Sequence, residues 1–171
     1  ILVCLVGSEM CIRDSDNTKW SFFENLAVKD YKNNNAPSLN IVEFDGLNSD
    51  GSSYNHLNGY GEADVLISDI INMKNYENNQ TVYMSFFWNF NINGEHPDYQ
   101  DSIKLEFMNK QNEWELVWYK TGGVENFIGN DFIFEILKIT THFMHENFQF
   151  KFSNIGNSEG PFDSWVLDYI Y

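Results

Sequence analysis

Basic residues are scarce in this chain: 10 Lys and Arg stand against 25 Asp and Glu in 171 residues, a formal net charge of −15. Binding to nucleic acid draws on clustered Lys and Arg that neutralise phosphates, so no nucleic-acid partner is expected; cations or neutral ligands suit the charge better. Cysteine is nearly absent. The two that occur, Cys4 and Cys11, both lie in the opening stretch ILVCLVGSEMCIRDS. Beyond residue 15 there is therefore no thiol, no disulfide and no sulfur ligand for a metal, and stability must come from packing. No segment offers the ~20 apolar residues that a membrane-crossing helix needs, so membrane insertion is not expected. A Ser/His/Asp elbow, a Gly-rich phosphate loop and a Cys nucleophile are also missing, which argues against nucleophilic catalysis and nucleotide binding.

What is present is apolar and aromatic. Hydrophobic residues make up 43% of the chain and aromatics 17%, with 15 Phe, 9 Tyr and 5 Trp. A chain of this length buries roughly two thirds of its unfolded surface, enough for one domain with a sizeable core but not for two full ones. Residues 1–15 resemble the translated read-through of a sequencing adapter and are set aside as non-native. As a secretion signal the stretch is short, lacks a basic start and has no small-residue cleavage site. Removing it takes Arg13 from the basic residues and Glu9 and Asp14 from the acidic ones, leaving 9 against 23, so the acidity belongs to the remaining chain. Residues 16–38 are expected to be an entry segment. Residues 39–171 are expected to form the domain, truncated at its C-terminal end.

From Leu39 onward, short alternating apolar runs are separated by Gly, Asn and Asp, the pattern of strands and turns. Phe148, Phe150 and Phe152 alternate with Gln149, Lys151 and Ser153, as a half-buried antiparallel strand requires. Val82, Met84, Phe86 and Trp88 share one face of a second strand, and Ile103, Leu105 and Phe107 oppose Lys104 and Glu106 on a third. Further strands are expected at 39–44, 64–71, 113–119, 132–139 and 164–171. Eight antiparallel strands exceed what one open sheet holds comfortably, so the expected fold is all-β: two stacked antiparallel sheets in a sandwich of the jelly-roll kind. The longer connections at 89–100 and 120–130 are the ones to carry function.

The segments APSLNIVEFDGLNSDGSSYN (36–55), GEADVLISDII (61–71), VYMSFFW (82–88), DSIKLEF (101–107), NFQFKFSNIG (147–156) and FDSWVLDYIY (162–171) occur in an order that resembles a jelly-roll domain near the start of large surface and secreted proteins of Bacteroidetes-type bacteria. Those proteins are exported by type IX secretion and linked with gliding or adhesion, and the domain is similar to concanavalin-like and MAM-like jelly rolls. The resemblance implies an extracellular or cell-surface location and a monomeric domain within a larger chain. It brings no biochemical activity. Val166 stands where the family's final strand often carries His, so no role needing that imidazole transfers.

In related jelly rolls the first and last strands lie side by side, and an acidic residue from each can ligate a structural Ca²⁺. Asp45 and Asp168 are the matching residues here, with Glu43 and Asp64 as further candidate metal ligands. The competing reading has Asp45 capping a turn at Asp45-Gly46 and Asp168 accepting hydrogen bonds from backbone or Tyr. Glu113 and Glu115 flank Trp114 at the spacing of a glycosidase carboxylate pair, but Val117 breaks the motif, and two solvated Glu explain it better. The four His, at 56, 96, 142 and 145, form no convincing metal set. Sugars stack on exposed aromatic rings with Asn or Asp holding their hydroxyls, which makes Trp88, His96, Asp98 and Tyr99 the candidate ligand-binding residues and a glycan or surface polysaccharide the candidate partner. The expected role is a noncatalytic binding or adhesion module. The alternatives are a structural spacer without ligand and, less favoured, a glycoside hydrolase-like enzyme.

Overall fold

The structure is a computed structural model that describes residues 20–21, 28–30, 36–37, 41–48, 50–76, 81–90, 95–123 and 131–171. Two antiparallel sheets stack face to face. One holds β4 (Tyr60–Ser68), β9 (Phe150–Asn157), β6 (Ser102–Met108) and β7 (Trp114–Thr121) in that spatial order. The other holds β3 (Ile41–Phe44), β10 (Trp165–Asp168), β5 (Val82–Phe90) and β8 (Ile133–Ile139). Each sheet gains one short edge strand, β1 (Trp20–Ser21) beside β4 and β2 (Val28–Asp30) beside β3. Both fall in the expected entry segment, so pairing begins earlier in the chain than the pattern from Leu39 suggested. The only helical turns among the described residues are two short 3₁₀ segments, Lys74–Tyr76 and Thr141–Phe143. No helix there is long and apolar enough to cross a membrane.

Alternation decides which side chains meet between the sheets. Val82, Met84 and Phe86 are fully buried and Trp88 nearly so; Ile103 and Leu105 are likewise buried with Phe107, and Phe148, Phe150 and Phe152 complete the opposing layer. The rings meet edge to face: Phe86 lies 4.9 Å from Trp118 and 5.0 Å from Phe152, and Phe107 lies 5.2 Å from Phe148. Such pairs add to the burial term because the positive ring edge meets the negative ring face. On the outer side of the first sheet, Lys104 bridges Glu62 at 2.8 Å and Glu106 at 3.5 Å, and Lys151 bridges Glu106 at 2.6 Å. Lys151 also sits 5.0 Å above the Trp114 ring. The polar partners of Ile103, Leu105 and Phe107 thus form a ladder of alternating charge, which fixes the register from both sides.

Candidate functional site

Antiparallel pairing gathers chain positions at the two ends of the sandwich. One end collects the last residues of β3, β5, β7 and β9 with the first residues of β4, β6 and β10. Asp45, Asp64, Asp98, Tyr99, Asp101 and Asp163 are all brought to this end, which makes it strongly acidic. The other end carries Asn109, Glu115, His142 and His145.

At the acidic end, a bulge between Glu62 and Val65 interrupts the β4–β9 register and leaves two successive buried residues, Ala63 and Asp64. The Asp64 carboxylate accepts hydrogen bonds from the Gly46 amide at 2.8 Å and the Tyr54 hydroxyl at 2.7 Å. Its own amide donates to the Asn154 side chain at 2.7 Å. Gly46 has φ +74°, the left-handed region that glycine tolerates, so Asp64 holds a turn only glycine forms readily. Burial pushes the Asp64 carboxyl up to about 7 against these hydrogen bonds, with Asp45 adding repulsion. Burial, then Asp64, also holds the Tyr54 hydroxyl above its ordinary range.

The four candidate metal ligands do not converge. Trp165 pairs with Phe44, Val166 with Glu43 and Leu167 with Val42, so Asp45 lies past one end of the β3–β10 ladder and Asp168 at the other. The two end strands are neighbours, as expected, but their antiparallel direction keeps these carboxylates apart. Glu43 stands mid-strand, opposite Val166. Asp45 accepts from the Leu47 amide at 3.0 Å and caps its own turn, and Asp168 is fully buried beside Phe87. Among the described residues no group of three or more His, Cys, Asp or Glu could hold a metal.

The candidate sugar edge divides. Trp88 is 2% exposed and belongs to the core, among Trp118, Trp165 and Phe90, with its Nε1 donating to Glu135 at 3.3 Å. It therefore offers no face to a ligand, which corrects the expectation. Its place on the Val82-Met84-Phe86 face is the reason. Tyr99 is the opposite case, 71% exposed, with its ring lying against Gly123 so closely that any Cβ there would collide with it. His96 and Asp98 are exposed beside it, and the His96 ring lies 5.9 Å from Phe90.

Reading the sequence did not single out Asp101 or Asp163. Asp101 precedes β6 and is 1% exposed; Asp163 precedes β10 and is 6% exposed. Asp101 Oδ2 accepts from the Asp98 amide, and Asp163 Oδ2 accepts from the Asn157 amide at 3.0 Å. Asp101 Oδ1 is buried without a hydrogen-bond partner. A Cβ built on Gly156 would stand 3.2 Å from Asp163 Oδ2 and 3.7 Å from that unpartnered oxygen, so the two carboxylates meet over one glycine. Burial and the facing Asp163 push the Asp101 carboxyl up to about 7. The Tyr60 hydroxyl donates to the Gln100 carbonyl and, by burial and the nearness of Asp101 and Asp163, is raised above its ordinary range. The sequence signal was the register: Asp101 lies two residues before Ile103 and so on the inward face, where an acidic residue needs a reason.

The other end is closed by complementary partners. Asn109 Oδ1 accepts from the Gln111 and Glu113 amides, while its Nδ2 donates to Glu115 at 2.6 Å and to Glu113 at 3.2 Å. His142 Nε2 meets Glu115 at 2.8 Å. His145 Nε2 donates to the Met108 carbonyl at 2.9 Å while Nδ1 accepts from the Asn147 amide at 3.3 Å. No protein-family model matches the chain, and no curated protein matches it.

Proposed function

We propose that this chain is a noncatalytic extracellular binding or adhesion module, a jelly-roll domain of a larger bacterial surface protein, whose ligand is a glycan held at the acidic end. The observation that carries this reading is Tyr99: a large ring, 71% exposed and backed by Gly123, on a short loop whose next turn is pinned by Asp101. An aromatic face held against backbone offers stacking area to the C–H face of a sugar at little cost in side-chain entropy. Asp98 and His96 stand beside it as hydrogen-bonding groups for hydroxyls.

Glu113 and Glu115 support the noncatalytic reading. A glycosidase general acid needs a carboxyl raised above its ordinary range. The His142 and Asn109 hydrogen bonds instead hold Glu115 below it, and both Glu side chains are bound to Asn109. The test is a glycan array and polysaccharide pull-down with the whole chain. Binding that disappears in Tyr99→Ala, with unchanged thermal unfolding, is the expected result. Retention of no glycan by the wild type overturns this reading and leaves a structural spacer.

A further inference from the structure

We propose that Asp101 and Asp163 are the two anionic ligands of one calcium-like divalent cation that ties the two sheets together at the acidic end. Asp101 leads into β6 of one sheet and Asp163 into β10 of the other, so a group held by both spans the sandwich. Both residues are more than nine-tenths buried, and no ion pair among the described residues reaches either of them. Two acidic side chains buried against each other repel unless a positive charge or a shared proton lies between them. Each already has one oxygen on a backbone amide, and Asp101 Oδ1 is buried without a hydrogen bond, the nearby Tyr60 hydroxyl being turned to the Gln100 carbonyl. Gly156 lies under the pair: a Cβ there would press on the Asp163 carboxylate at 3.2 Å and touch Asp101 Oδ1 at 3.7 Å.

The donor chemistry selects the ion. The side chains acting on Asp101 offer oxygen alone: the Asp163 and Asp98 carboxylates and the Tyr60 hydroxyl, which itself donates to the Gln100 carbonyl. Hard cations that accept carbonyl and water ligands alongside one or two carboxylates match this set, and zinc does not. Two anionic ligands balance a divalent charge, and the chain's net charge of −15 raises the local cation concentration. The ion would fix the 97–101 turn that carries Tyr99, yet its binding does not depend on any glycan.

Calcium chloride added to the chelator-treated whole chain tests this directly. Equilibrium dialysis should find one calcium per chain, and the thermal midpoint should rise by about 5 to 10 °C at a hundredfold excess over Kd. Asp101→Asn and Asp163→Asn should each weaken binding by at least about tenfold, the range seen when groups that support a metal site are lost, whereas Asp45→Asn should bind normally. Should either Asn variant fail to fold, Gly156→Ala decides: it leaves the charges intact, presses on the pair and should also weaken calcium. No calcium bound by the wild type overturns the proposal, and a midpoint that rises only on acidification would assign the pair to a shared proton instead. Undiminished binding in both Asn variants, or in Gly156→Ala, overturns it equally.

Discussion

The two ends of one sandwich resolve their buried polar groups in opposite ways. At the Asn109 end, an amide side chain with both donors and acceptors sits between backbone amides and two carboxylates, and every group finds a complement. At the Asp101 end, acceptor meets acceptor: two carboxylates face each other over Gly156 and one oxygen has no donor. An amide can be satisfied by protein alone, whereas a carboxylate pair needs a proton or a cation from outside. The first end is built to be closed, the second to be completed. The exposed ring, Tyr99, stands at the second.

The largest perturbation should erase the contrast by dissolving what both ends share. Phe152 is fully buried against Phe86 and Phe150, so Phe152→Ala should cost about 3 to 5 kcal/mol in denaturant unfolding, through lost transfer energy and an unfilled cavity. A loss under about 1 kcal/mol would mean that the interior is not packed as described.

Next comes pH, which should act at the acidic end. The Asp64 carboxyl is raised from 3.8 to about 7, with Tyr54 and Asp45 the ionisable groups facing it. A native state that holds a proton more tightly than the unfolded chain is stabilised where the group is protonated. Stability from Asp64 is therefore full below about pH 4, falls as pH rises towards 7, and is flat above that. The span is on the order of 4 kcal/mol. Urea midpoints measured from pH 4 to 8 should show that slope in the wild type and a flatter line in Asp64→Asn; an equal slope in the variant would assign the effect elsewhere.

Cutting the closed end should cost less. Asn109→Ala removes the acceptor of two backbone amides and the donor to Glu115, at about 2 kcal/mol. Its cost should be the same with calcium or chelator present, and a difference between the two would couple the ends. The smallest effect on stability belongs to Tyr99→Ala, under about 0.5 kcal/mol because the ring is exposed, while glycan retention is lost.

The interior was legible in the sequence because burial leaves a period of two: the Phe148-Phe150-Phe152 and Val82-Met84-Phe86 faces follow from alternation alone, as does the count of eight longer strands. The same rule should have placed Trp88 inside, since it continues the second of those faces. Strands β1 and β2, of two and three residues, are too short to show any period. The acidic end was only half legible. Asp45 and Asp64 were singled out, and Asp64 does reach over to the turn after β3. Asp168 was placed with them because its strand neighbours β3, but adjacency of strands does not say which ends meet; the antiparallel register does. Asp101 and Asp163 lie just outside their strands and far apart in the chain. Nothing local marks them as partners until the two sheets are stacked.

The contrast between the ends can be read residue by residue in amide ¹H–¹⁵N spectra of the whole chain during a calcium titration. Shifts should gather at Asp98, Asp101, Gly156, Asn157 and Asp163 and saturate at one equivalent, while Asn109, His142 and His145 stay in place. Spectra that do not respond to calcium, or that respond first around Asn109, would contradict the account.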